Sequence, residues 1–227
     1  MFKRLKSILP ISSIMLKNLL IDWSGTLADD ILPVFKASNA VLRKFGNSEI
    51  SLEEFRKEFC LPYMDFYKKY IPNIPKDKID SIFRKAIKPE LKKITLLDCS
   101  REFLEFAKQR RIRVFIFSSF HHDELVKQIE DFGLIDYIEK IYGGVVDKRQ
   151  KIFDVLKENN LSREQTLFIG DMEHDIQAGK SAGIKTAGVL TGYQSRETLI
   201  REKPDYLCTD IKEIMVILKN ESKNNDK

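Results

Sequence analysis

Residues 17–30, reading KNLLIDWSGTLADD, limit what this chain can fold into more than any other stretch. Leu19, Leu20 and Ile21 form a continuous apolar run, Asp22 closes it, and Ser24, Gly25 and Thr26 turn the chain. Such a run between turn residues marks a strand buried on both faces of a parallel sheet. Sheets of that kind bind ligands just beyond the carboxyl ends of their strands. A carboxylate at that edge, followed by a Gly that lets backbone N–H groups approach an anion, suits a phosphate. Asp is also a covalent nucleophile in phosphoryl transfer. An Asp that merely caps a turn would look the same over these few residues, so the remainder of the chain has to decide.

The region after this strand reads as all helix. Val34, Ala37, Val41, Leu42 and Phe45 recur at helical spacing until Gly46, and Ser51 with Glu54 forms a capping box. Phe66, Tyr67 and Tyr70 make an aromatic face, and Ile79, Ile82, Phe83, Ala86 and Ile87 another apolar stripe before Pro89. From Leu96 onward helices and strands alternate. Ser100 caps a helix, and strands are expected at 113–117, 138–142, 166–169, 184–190 and 206–208. The intervening helices fall at 123–132, 148–159 and 175–182, with a last one at 210–218. Alternation of this kind gives right-handed βαβ crossovers. The fold class is therefore α/β, a Rossmann-like parallel sheet flanked by helices, with an all-helical insertion hanging over the carboxyl edge near Asp22. The expected division is an N-terminal extension at 1–14, a core at 15–30 and 94–219, a helical cap at 31–93 and a polar tail at 220–227.

Charge and cysteine usage exclude several functions. The 39 basic and 34 acidic residues leave a net charge of +5, but the basic residues are scattered. Without a basic stripe interleaved with aromatics, nucleic acid is not an expected partner. Cys60, Cys99 and Cys208 lie far apart with no CxxC spacing, which argues against a disulfide framework or a zinc site and fits a cytoplasmic location. The opening MFKRLKSILPISSIM is interrupted by Pro10, Ser12 and Ser13 and lacks a small-residue cleavage site, and Met15 is a plausible alternative start. No segment approaches the ~20 apolar residues of a membrane span.

Three further features fall at expected strand ends. Ser118 directly follows the RVFIF strand, where its hydroxyl or amide can bond a phosphate oxygen. Lys148 opens a helix after a weak strand and brings positive charge to the same edge. Gly170-Asp171 ends the LFIG strand, and Asp175 lies four residues on; an i, i+4 carboxylate pair at such a turn can face one point, and hard oxygen donors suit Mg²⁺. Thr26, Ser119 and His121 complete the candidate substrate-binding set.

In this order and spacing the sequence resembles the haloacid dehalogenase superfamily over about residues 15–218. The family's first motif, DxDGT, appears as Asp22-Trp23-Ser24-Gly25-Thr26. Its second matches Ser118, its basic third matches Lys148 with Lys151 as another candidate, and its fourth, GDxxxD, is Gly170 to Asp175. The helical insertion resembles the small cap of the phosphoglycolate phosphatase-like branch. The resemblance implies a two-step phosphoryl transfer from a small phosphorylated metabolite through an aspartyl-phosphate on Asp22. It also implies Mg²⁺ held by Asp22, the Ser24 backbone carbonyl and Asp171, with Asp175 completing the site, and Ser118 and Lys148 holding phosphoryl oxygens.

One departure stands out. The family's phosphatases carry a second Asp where this chain has Ser24, and the proton transfer performed there is worth ~10²–10⁴ in rate. Three readings follow. The chain is a phosphatase that is slow, prefers good leaving groups or borrows His121 or His122. Alternatively it is a C–P hydrolase, since DWSGT is similar to the DWAGT of phosphonoacetaldehyde hydrolases, with Lys57, Lys68 or Lys69 as imine-forming lysine. Or it binds phosphorylated ligands without turnover. The sequence leaves oligomeric state open.

Overall fold

Along the chain run β1 (Asn18–Ile21), β2 (Ala28–Asp29), α1 (Ile31–Lys44), α2 (Leu52–Glu58), α3 (Tyr63–Tyr70), α4 (Lys76–Ile87), β3 (Thr95–Leu96) and α5 (Ser100–Gln109). There follow β4 (Arg113–Phe117), α6 (His122–Asp131), β5 (Lys140–Tyr142), α7 (Lys148–Glu158), β6 (Thr166–Gly170), α8 (Glu173–Ser181), β7 (Lys185–Val189), α9 (Arg196–Arg201), β8 (Tyr206–Cys208) and α10 (Ile211–Lys223). The structure, a computed structural model, describes residues 15–223. The expected extension at 1–14 and the end of the expected tail lie outside them.

β1 is central in a six-stranded sheet of order β5-β4-β1-β6-β7-β8, and every pairing in it is parallel. Its apolar run is buried because side chains alternate between two covered faces. Leu19 and Ile21 pack with Phe103 and Leu104 of α5 and Leu125 and Ile129 of α6. Leu20 packs on the other side with Ile152 and Val155 of α7 and Ala178 of α8. Ile21 stands opposite Ile116 of β4 and Ile169 of β6, so three strands reach the carboxyl edge in step. The Asp22 N–H donates to the Ile169 carbonyl at 2.9 Å, which carries the alignment one residue past the strand.

α1 to α4 build a second apolar cluster around Phe55, Phe66, Val41, Leu42 and Ile79. Met172 and Tyr193, from loops at the carboxyl edge of the sheet, belong to the same cluster, so the helices sit against that edge. The chain passes into and out of these helices through β2 and β3, which pair as a short antiparallel ribbon.

Several elements differ from expectation. α5 is preceded by Cys99, held at φ 63°, and Ser100 does not cap it; its hydroxyl donates instead to the Leu27 carbonyl at 3.0 Å. α9 was not expected, being one short helix capped by Ser195 accepting from the Thr198 N–H. α10 runs to Lys223, into the stretch expected to be an irregular tail. None of the helices in the described residues is long and apolar enough to cross a membrane.

Candidate active site

Asp22 leaves β1 at the bottom of a cavity of about 350 Å³ between the sheet edge and α4. Ser24, Ser118 and Ser119 line it beside Asp22, and His121 lines its wall. Ser118 is fixed from both sides: its N–H donates to the Tyr142 carbonyl at 2.9 Å and its hydroxyl accepts from the Phe120 N–H at 3.2 Å. The buried Ser119 hydroxyl has no hydrogen-bond partner among the described residues. His121 is half exposed, with Nδ1 3.0 Å from Glu124 and Nε2 3.5 Å from Arg84.

Behind the floor of the cavity lies a buried ionic cluster. Lys148 is wholly buried, and its Nζ donates to Asp22 Oδ1 at 2.7 Å and to Asp175 Oδ1 at 2.6 Å. The start of α7 aims it inward: Asp147 caps the helix, and the Lys148 N–H donates to His174 Nε2 at 3.0 Å. Burial, reinforced by the Lys148 charge, pushes the His174 pKa down to about 4, so the ring stays a neutral acceptor. Lys151, the other candidate, faces outward and pairs with Asp154 at 2.9 Å and Glu158 at 3.6 Å. Desolvation opposes a charged Lys148, but attraction from Asp175 and Asp22 outweighs it and raises the pKa.

Asp171 is held at both oxygens, one accepting from the Thr26 hydroxyl at 3.1 Å and the other from the Tyr193 N–H at 2.7 Å. Thr26, expected at the substrate, is buried, lies outside the cavity lining and donates its hydroxyl to Asp171. Two glycines allow this packing. A Cβ at Gly192 would fall 1.9 Å from Asp171 Oδ2, and Gly25 sits at φ +71° with its own Cβ position 2.6 Å from the same atom. Sequence reading missed Gly192 and Tyr193, although the Gly just past β7 repeats the pattern of the Gly just past β1.

Asp22, Asp171 and Asp175 each offer a carboxylate oxygen within 4.8 Å of the others. Burial, then Asp22 and Asp175, push Asp171 well above the usual carboxylate range. Burial also lifts Asp175 to about 6 against the pull of Lys148. Fully ionised, three carboxylates against one ammonium leave two negative charges. Hard oxygen donors with that deficit fit a divalent cation such as Mg²⁺.

Asp30, also missed, is fully buried; it accepts from the Tyr193 hydroxyl at 3.0 Å, and its Oδ2 makes no hydrogen bond among the described residues. Burial raises its pKa to about 7, against the lowering effect of the Ser24 and Tyr193 hydroxyls. A carboxyl whose folded pKa is raised contributes stability that is full below its unfolded pKa of about 4 and lost as pH rises through the folded value. Asp30→Asn keeps an acceptor for Tyr193 and removes this titration. The wild type is expected to lose more melting temperature than the variant between pH 5 and pH 8. Parallel curves would show that Asp30 does not titrate in that range.

The candidate imine lysines do not line the cavity: Lys68 pairs with Asp65 at 2.9 Å, Lys69 with Glu58 at 2.8 Å, and Lys57 is exposed. Lys76 does line it, but hydrogen bonds to Asp80 and Tyr63 outweigh desolvation and raise its pKa, which opposes imine formation.

A family model described as haloacid dehalogenase-like hydrolase matches residues 19–189. Pyrophosphatase PpaX of Oceanobacillus iheyensis is 27% identical over 209 residues, which is 89% of this chain and 97% of the relative. The Listeria monocytogenes protein of the same name is 24% identical over 215 residues, covering 90% and 97%. Among solved structures, a predicted phosphatase from Clostridium acetobutylicum superposes with a TM-score of 0.82 at 20% identity, covering 91% of this chain and 99% of its own. A predicted phosphoglycolate phosphatase from Haemophilus somnus gives 0.73 at 19%, covering 89% and 97%. At these identities the two structures share the fold.

Proposed function

The chain belongs to the haloacid dehalogenase-like hydrolase family, and from that premise we propose that it is a Mg²⁺-dependent phosphatase of a small phosphorylated metabolite. The observation that carries this reading is the Asp22 carboxylate at the cavity floor, with one oxygen tied to a buried lysine and two more carboxylates behind it. Lys148 fixes Asp22 Oδ1, leaving Oδ2 to attack phosphorus and form an aspartyl-phosphate that water then hydrolyses. The hydroxyls of Ser118 and Ser119 receive the phosphoryl oxygens, and Lys148 balances charge from below. Asp22, the Ser24 carbonyl and Asp171 would hold Mg²⁺, with Asp175 supporting, and the ion would supply neutralisation of the negative charge gathered there. The helices of 31–93 act as a cap over the core of 15–30 and 94–219, excluding water and choosing the substrate. With its three cysteines free, the enzyme is read as cytoplasmic, working without nucleic acid or membrane.

The test is phosphate release by the purified chain from phosphate monoesters, acyl phosphates and pyrophosphate, the last because the curated relatives are named pyrophosphatases. Release is expected with Mg²⁺, with at least a ~10²-fold loss on chelation that is restored by adding the metal back. Aldehyde formation from phosphonoacetaldehyde alone would overturn the assignment in favour of C–P cleavage. Silence on every compound would leave a binding protein.

Position 24 yields a second expectation. A serine hydroxyl does not donate a proton to a departing alkoxide at neutral pH. Ser24→Asp is therefore expected to raise turnover of glycerol phosphate about 10-fold or more at saturating Mg²⁺. An unchanged rate would show that proton transfer at this position is not limiting.

A further inference from the structure

The cavity above Asp22 has a chemical bias of its own. Val34, Leu61, Ile79, Phe83, Ile87 and Phe120 make up much of its wall. Several polar groups on that wall bond to one another. Tyr63 donates to Asp80 at 2.8 Å, Lys76 bonds Asp80 at 2.5 Å, and Arg84 donates to the Asp80 carbonyl at 3.4 Å. Sugar or polyol hydroxyls placed against the apolar part of this wall would find no partners there, which disfavours such substrates.

A second observation concerns the leaving group. The residues lining the floor beside Asp22 from the strand ends are Ser24, Ser118 and Ser119, all hydroxyls. The acids of the wall are occupied, Asp80 by Tyr63 and Lys76 and Glu124 by His121. Among the side chains that line the cavity none is an unpaired carboxyl beside Asp22, Asp30 lying outside the lining behind the Ser24 hydroxyl, so a leaving oxygen that is stable as its anion is favoured. A phenol ionises at roughly 10, whereas water, close to a simple alcohol, does so at roughly 16. An aromatic ester can meet this condition, and an alkyl ester meets it poorly.

We propose that the substrate is a phosphate monoester of an aromatic alcohol, its ring seated among Leu61, Ile79, Phe83 and Phe120. This inference rests on the phosphatase reading above and narrows it. In the first step the Asp22 Oδ2–P bond forms and the P–O(aryl) bond breaks, and the phenolate leaves with the bonding pair and takes a proton from solvent. In the second, a water oxygen bonds phosphorus, the Asp22–P bond breaks, and inorganic phosphate departs.

The test compares kcat/KM for 1-naphthyl phosphate, phenyl phosphate, glycerol phosphate and pyrophosphate at saturating Mg²⁺. The aryl esters are expected to exceed the other two by ~10²-fold or more. Phe83→Ala is expected to raise KM for 1-naphthyl phosphate roughly 10-fold and to narrow its advantage over phenyl phosphate. Equal rates on all four, or a preference for glycerol phosphate or pyrophosphate, would overturn this inference while the phosphatase assignment stood. Failure to release phosphate from any of the four would overturn both.

Discussion

Asp22→Asn is expected to lower phosphate release by at least ~10³-fold with the fold unchanged. The amide matches the carboxylate in shape, can still accept from Lys148, and leaves untouched the backbone bond from position 22 to Ile169. What it lacks is an anionic oxygen with which to attack phosphorus. It also removes one of three negative charges around the candidate cation position, so affinity for Mg²⁺ should fall together with the rate. Steady-state kinetics with near-UV circular dichroism separate the outcomes. A variant that keeps native dichroism and turnover would remove Asp22 as nucleophile.

Lys148→Met has the larger consequence for stability. The substitution keeps the bulk of the stem but withdraws the ammonium that Asp22 and Asp175 share inside the protein. Breaking a buried ion pair from one side costs ~3–5 kcal/mol, because the remaining charge is stranded. Turnover should also fall by at least ~10²-fold, since the phosphoryl group loses a fixed positive partner. The pH dependence gives the signature. Asp175 already titrates at about 6 with Lys148 holding it down, and without Lys148 it moves higher. Carboxyls raised in the folded state contribute stability that is full below about 4 and lost as pH rises through their folded values. The variant's deficit in urea melts should therefore be large at pH 8 and shrink toward pH 4.5. A deficit independent of pH would point to packing rather than charge.

The sheet was legible because β1, β4 and β6 are continuous apolar runs, a pattern that a buried parallel strand requires and few other elements tolerate. The β2–β3 ribbon was not, since two residues per strand carry no period at all. In the site, the strand-end positions of Asp22, Ser118 and Asp171 could be read from where each run stops. Lys148 and Lys151 could not be separated, being one helical turn apart on α7; only the position of the helix start turns the first inward. The Thr26 bond to Asp171 was not legible, because a hydroxyl just past Gly25 looks the same whether it meets a ligand or a neighbouring carboxylate. Tyr193 contributes to Asp171 through its backbone amide, which every residue but proline carries, so its identity gave no clue.

The paired strands at Ala28–Asp29 and Thr95–Leu96 bring the two ends of the helical excursion to adjacent strands, about 5 Å apart. A doorway that narrow makes the excursion exchangeable: a different lobe can be grafted at the same junction without stretching the path from β1 to α5. If these helices select the substrate as proposed, a change of lobe at this junction would alter preference while the acidic cluster underneath kept its shape.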